Sequence, residues 1–147
     1  MSENHMFKED CGKKYTYNLP TDIVNACSES NKFEELSCVK ISGFTYRAKS
    51  ISKNVNGRSK SHNDCYFSYD CDQHYGEIIK ILTDGKYNYF LYKCIETRYV
   101  DIGISSGMIN DKTVKLMIID DSCRKCIRIT CETTAYYCNL QYKLAID

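Results

Sequence analysis

The 147-residue chain contains no tryptophan and one proline, Pro20. It has seven glycines and three histidines. No apolar run approaches the ~20 residues that a membrane-spanning helix needs, so no span and no membrane partner is expected. Met1 to Asp10 is polar and charged, which reads as no secretory signal peptide. Basic and acidic residues nearly cancel, twenty against nineteen, for a formal net charge of +1. The whole molecule therefore has no pull toward nucleic acid or a membrane surface, and any such attraction has to be local. No internal repeat and no low-complexity tract occurs, which excludes a repeat array. His62 and His74 lie near Asp64 and Glu77, as acid–base chemistry would need, yet no Ser- or Cys-centred elbow accompanies them or His5. No enzyme, no cofactor and no small-molecule substrate is expected.

Tyrosine and cysteine are abundant instead. Thirteen tyrosines stand against five phenylalanines. Tyrosine buries a large ring while its hydroxyl stays bonded, so it suits an interface and equally a thin sheet core whose ring tips reach water. Ten cysteines without a signal peptide read as mostly reduced. Cys94, Cys131 and Cys138 sit inside apolar strand patterns, where a thiol packs as a small hydrophobe. Cys123-Arg124-Lys125-Cys126 is a CxxC, but Cys131 and Cys138 follow at a spacing of seven. A structural zinc site draws on two close pairs, so no metal is expected. The flanking Arg124 and Lys125 would lower the thiol pKa values.

At this length one domain can bury roughly 70% of its unfolded surface. The chain is organised around two apolar runs, Tyr75–Leu82 and Tyr87–Ile95, joined by Thr83-Asp84-Gly85-Lys86. Asp-Gly between β-branched and aromatic segments is a strong hairpin signal, because glycine accepts the positive φ of the turn. Ile78 and Ile79 are adjacent, as are Tyr89, Phe90 and Leu91, so both faces of the hairpin should be covered.

Other segments are weaker. Thr21 to Cys27 reads as a helical turn, and Asn31-Lys32-Phe33-Glu34 has the capping-box pattern of a second short helix. Phe44 to Lys49 alternates as a half-buried strand with Phe44, Tyr46 and Ala48 on one face. Ser50 to Asn63 is a polar loop, and Asp101 to Asp111 is another. Cys65–Tyr69 and Val114–Ile119 read as strands. Cys126–Cys131 alternates with Ile127, Ile129 and Cys131 facing in, and Tyr136–Tyr142 does the same on its even positions. Seven short strands with little helical pattern predict a mainly β fold. The expected architecture is a small antiparallel β-barrel or twisted sheet with one or two short N-terminal helices. Residues 1–38 form an arm and those helices, and residues 39–147 the β domain. Ile79, Ile81, Phe90, Tyr92, Ile127, Ile129 and Leu140 are the expected core.

Phe90-Leu91-Tyr92-Lys93-Cys94-Ile95-Glu96-Thr97 resembles a signature of bromo-adjacent homology (BAH) domains, with Cys94 standing where the family carries proline. Tyr75–Ile81 resembles the family's preceding strand, and Asp121–Ile129 its short step into a Lys-Cys-Val strand. Tyr136–Tyr142 resembles its closing aromatic-Tyr-Cys strand. Val39 to Asp64 resembles the region before similar modules at the C-termini of invertebrate transposable-element proteins. The resemblance implies a barrel-like module that binds protein or chromatin in the nucleus rather than catalysing a reaction. Tyr89, Tyr92 and Tyr99 are the candidate partner-binding residues. One alternative is a nucleic-acid-binding accessory domain of a transposon-derived protein, since Arg47 to Lys60 carries bases and no acid. Lys49, Lys53, Arg58 and Lys60 would then meet phosphates. The bland reading of that stretch is a solvated loop neutralised by Asp64, Asp70, Asp72 and Glu77. A second alternative is a zinc or thiol module.

Overall fold

The computed structural model describes residues 16–24, 28, 32–49 and 64–140. Ten strands and one helical turn follow in chain order: β1 (Thr16–Asn18), α1 (Thr21–Val24), β2 (Lys32–Leu36), β3 (Cys38–Ile41), β4 (Phe44–Arg47), β5 (Tyr66–Tyr69), β6 (His74–Thr83), β7 (Asn88–Asp101), β8 (Ile104–Ile118), β9 (Arg124–Cys131) and β10 (Thr134–Asn139). The chain is mainly β, as its alternation predicts, and every pairing is antiparallel.

The β6–β7 hairpin is the centre. Gly85 takes φ +91° at its turn, and the Asp84 carboxylate accepts from the N–H groups of Lys86 and Tyr87 at 2.9 and 2.8 Å. Eight strands form one sheet in the order β1-β2-β6-β5-β9-β10-β8-β7, and β6 also pairs with β7. Pairing therefore returns on itself through six strands, giving part of a ring. β3 and β4 make a separate two-stranded sheet. Ser42 and Gly43 turn between them, both with positive φ, which suits the twist of a two-residue hairpin.

Both faces of the hairpin are covered, for different reasons. Tyr137 of β10 meets Tyr66 of β5 and Tyr75 of β6 across the ring, strands to which β10 is not paired. The Ser105 hydroxyl donates to that of Tyr75 at 3.3 Å. On the opposite face Phe67, Ile78, Phe90 and Tyr92 pack under Val39, Ile41 and Tyr46 of the small sheet. Farther along the hairpin Leu82, Tyr89, Leu91 and Leu116 are capped by Val24 and Phe33.

Several expectations need correction. The capping-box segment Lys32–Leu36 is a strand: β6 offers an edge at Ile81–Thr83, and pairing there buries Phe33 and Leu36. Strand pairing thus overrides a local helix signal. The stretch read as arm and helices accordingly adds β1 and β2 to the same sheet, and α1 is the single helix among the described residues. Asp101 to Asp111 is no loop: β7 and β8 run through it, and the turn is confined to Ile102 and Gly103, the latter at φ +73°. Ile129 and Cys131 are exposed, and Ile127 is only half-buried, because Cys126 and Tyr137 face in. Ile79 and Leu140 are likewise half-buried, whereas Ile81, Phe90 and Tyr92 lie in the core as expected.

Candidate functional site

The inner wall ends in a charged knot. Glu77 on β6 is buried, and its carboxylate accepts a hydrogen bond from the Tyr66 hydroxyl at 3.1 Å. The Lys49 ammonium donates to that same hydroxyl at 3.1 Å and stands 3.5 Å from the carboxylate. Arg128 on β9 bonds the hydroxyl of Tyr137. Burial drives the Tyr66 and Tyr137 hydroxyls above their usual range. Charges here are mutually compensated.

Lys49 is thus the one member of the predicted basic set among the described residues, and it is committed to an acid. Lys53, Arg58 and Lys60 lie outside the described residues, as do His5 and His62. Arg47 pairs with Asp64 at 3.1 Å, so the acids following the basic stretch do neutralise its beginning. His74 is exposed, stacked on Tyr69 at 5.0 Å and 3.8 Å from Asp70.

The cysteines do not behave as the CxxC spacing anticipates. Burial pushes the thiols of Cys123 and Cys126 up to about 12, and the neighbouring Arg124 and Lys125 do not offset it. Neither is primed as a nucleophile. Cys131 is exposed rather than inward-facing, and Cys138 is half-buried. Among the described residues no group of three or more His, Cys, Asp and Glu could hold a metal ion.

Of the three tyrosines predicted to bind a partner, two are interior. Tyr89 is buried and its hydroxyl donates to Asp84 at 2.7 Å. Tyr92 is buried and shares a 2.8 Å hydrogen bond with the Tyr69 hydroxyl. Their rings pack and their hydroxyls are bonded internally, so neither presents a surface. Tyr99 is 73% exposed near the β7–β8 turn.

A surface that the strand patterns pointed to with the wrong sign lies nearby. Ile104, Cys138 and Ile127 stand in one row across β8, β10 and β9. Arg98, Ser106, Tyr136 and Ile129 form the next, from β7 to β9. Cross-strand partners share a face, and here it is the outer one, since Tyr137 and Cys126 occupy the inner. Met108 continues this face at 78% exposure and Ile129 is 48% exposed. On the other side of the ring the small β3–β4 sheet covers the outer wall. At the Ile104–Met108 end of β8, and on β10 and β9 beside it, the same face is left half-buried to exposed. A cleft of about 450 Å³ opens beside it, lined by Thr97, Arg98, Gly107, Met108, Thr134 and Ala135 among others. Its floor is low because Gly107 carries no side chain, and a Cβ there would come within 2.7 Å of the Glu96 carbonyl oxygen.

Neither the known protein families, the curated proteins nor the solved structures contain a match to this chain. Among the described residues no helix is long and apolar enough to cross a membrane.

Proposed function

We propose that the chain is a BAH-like, non-catalytic module that binds protein or chromatin in the nucleus, and that its closed strand circuit is a small barrel. The observation that carries the reading is the outward-facing apolar wall formed by Ile104, Ile127, Ile129, Tyr136 and Met108, with Ile129 and Met108 exposed and the other three half-buried. An alternating apolar face on a soluble sheet normally turns inward, and one left outward marks an interaction site. The sequence resemblance supplies the class of partner. Tyr99 is the one exposed residue of the predicted tyrosines, and it shares a row with Ser105 and Tyr137 on the face opposite this wall.

The nucleic-acid alternative has less support, because Arg47 and Lys49 are already paired with Asp64 and Glu77. The zinc or thiol alternative is opposed by the burial of Cys123 and Cys126. Titration of labelled mononucleosomes and histone-tail peptides tests the reading. Met108→Glu combined with Tyr136→Lys should weaken binding at least about tenfold, roughly 1.4 kcal/mol, with the fold intact by circular dichroism. Absence of binding by the wild-type chain, or binding that the double variant leaves unchanged, overturns it. Tight, salt-sensitive binding to free duplex DNA would promote the alternative.

A further inference from the structure

The cleft beside the outer wall lies where β10 begins, against Gly107 and Met108 of β8. β10 pairs with β8 only from Ile104 to Gly107, whereas β8 runs on to Ile118. Among the described residues no strand takes up the side of β8 that β10 leaves, so Met108 and Ile109 keep an open edge there. Glu96 and Met108 share one row across β7 and β8, and Arg98 and Ser106 share another on the same face.

The charges of this lining are unequal in their commitments. Glu96, its one acid, already accepts a hydrogen bond from the Asn110 side-chain amide at 2.9 Å. Arg98, its one base, is exposed and takes part in no hydrogen bond or ion pair among the described residues. The hydroxyls of Thr97, Ser106 and Thr134 line the cleft and are likewise without an internal partner there. The cleft therefore offers a guanidinium and three hydroxyls to an acceptor from outside. A guanidinium presents paired N–H groups that match a single carboxylate. A nucleic-acid backbone would bring a run of phosphates to this one cation, with the Glu96 carboxylate beside it, and is the poorer match.

We propose that the cleft binds an extended acidic segment of a partner protein, with one Asp or Glu carboxylate of that segment paired to Arg98. The open edge of β8 at Met108 and Ile109 argues for a peptide rather than a free acid, since it can bond an added main chain where β10 stops. Alternate side chains of an extended segment fall on one face, so a residue two positions from the carboxylate reaches the exposed Met108. An apolar residue there completes the match. This inference rests on the reading of the outer wall as a partner-binding surface and names the chemistry of what it binds.

Amide NMR shifts of the full chain, titrated with a short capped peptide that alternates glutamate and leucine, decide it. The shifts should saturate and gather on the cleft residues of β7, β8 and the start of β10. Arg98→Gln should weaken binding at least about tenfold, the scale of a charge-assisted hydrogen bond. Arg98→Glu should move the preference to a peptide with lysine in place of glutamate. Arg98 is exposed and bonded to nothing, so both variants should melt like the wild type. Capped glutamate alone, and the peptide with glutamine in place of glutamate, should each bind far more weakly. Shifts away from the cleft, binding indifferent to Arg98→Gln, or equal binding of the glutamine peptide or of capped glutamate overturns the proposal. Mononucleosomes separate this test from that of the reading beneath it. A chain that binds the acidic peptide at the cleft but no mononucleosome upholds the cleft and overturns the chromatin partner. A chain that binds mononucleosomes but not the peptide overturns the cleft alone.

Discussion

At the scale of single residues, the molecule separates two isoleucines that look equivalent in sequence. Ile78 is wholly buried between the ring and the small sheet, whereas Ile129 is 48% exposed on the outer wall. An aspartate at Ile78 buries an unpaired charge or a carboxyl without a partner, at a cost of several kcal/mol, comparable to the stability of a whole domain. Ile78→Asp should therefore be unfolded at 25 °C by circular dichroism. Ile129→Asp should melt cooperatively, within about 0.5 kcal/mol of the wild type, as exposed substitutions do. The reverse result would mean that β9 and β10 are turned the other way. Their facing was not legible in the sequence, and the reason is physical. A wall is normally read as inward where it is apolar, and Ile127, Ile129, Tyr136 and Cys138 alternate as such a wall. The true interior at this point is Tyr137, Asn139, Arg128 and Cys126, a row held partly by hydroxyl, amide and guanidinium bonds rather than by hydrocarbon alone. A period-two pattern gives the strand; it does not say which face is inside when both can be buried.

At the scale of elements, the β6–β7 hairpin was the most legible part. Asp84-Gly85 fixed its turn, and adjacent apolar residues on both strands anticipated covering on both faces. What the sequence left out was which pieces do the covering: Val39 and Ile41 from β3, and Phe33 from β2, come from segments with weak or misleading local patterns. The turn itself yields a pH dependence. Burial of Asp84 favours its neutral form, but the hydroxyls of Ser28 and Tyr89 and the N–H groups of Lys86 and Tyr87 outweigh this and hold its pKa at about 2. A carboxylate depressed in the folded state contributes stability above its ordinary value, near 4, and that contribution is lost as pH falls toward about 2. Urea midpoints measured from pH 6 down to pH 2 should fall through this window. In Asp84→Asn the midpoint should be lower at pH 6 and the descent shallower. A parallel pair of curves would remove Asp84 from the account.

At the scale of the whole molecule, a buried cation ties the two sheets together beside their apolar contact. Lys125 extends from β9 to the Thr45 carbonyl of β4 and to the Asp64 carboxylate at 2.9 Å, with its ammonium 5.2 Å from the centre of the Tyr46 ring. Burial lowers its pKa, and Asp64 opposes that loss of charge. Removing one partner of such a pair is far more costly than removing a surface ion pair, so Lys125→Ala should cost about 3 kcal/mol. Equilibrium denaturation should show the loss, and a change under about 1 kcal/mol, the range of an exposed pair, would show that the joint is wet. In sequence Lys125 looked like one of two bases that would activate a neighbouring thiol. Its role depends on β4 lying against β9, a contact between residues some eighty positions apart that no local pattern announces.

The turn at Ile102 and Gly103 divides the strand circuit into unequal parts, β1 to β7 on one side and β8 to β10 on the other. Each part alone would present open rows of backbone donors and acceptors along β7 and β8, and along β5 and β9, that only the other is shaped to answer. Pairing of β7 with β8 and of β5 with β9 would hold the two parts together without covalent continuity at that turn: a chain severed there would still be two complementary pieces, each the template on which the other closes.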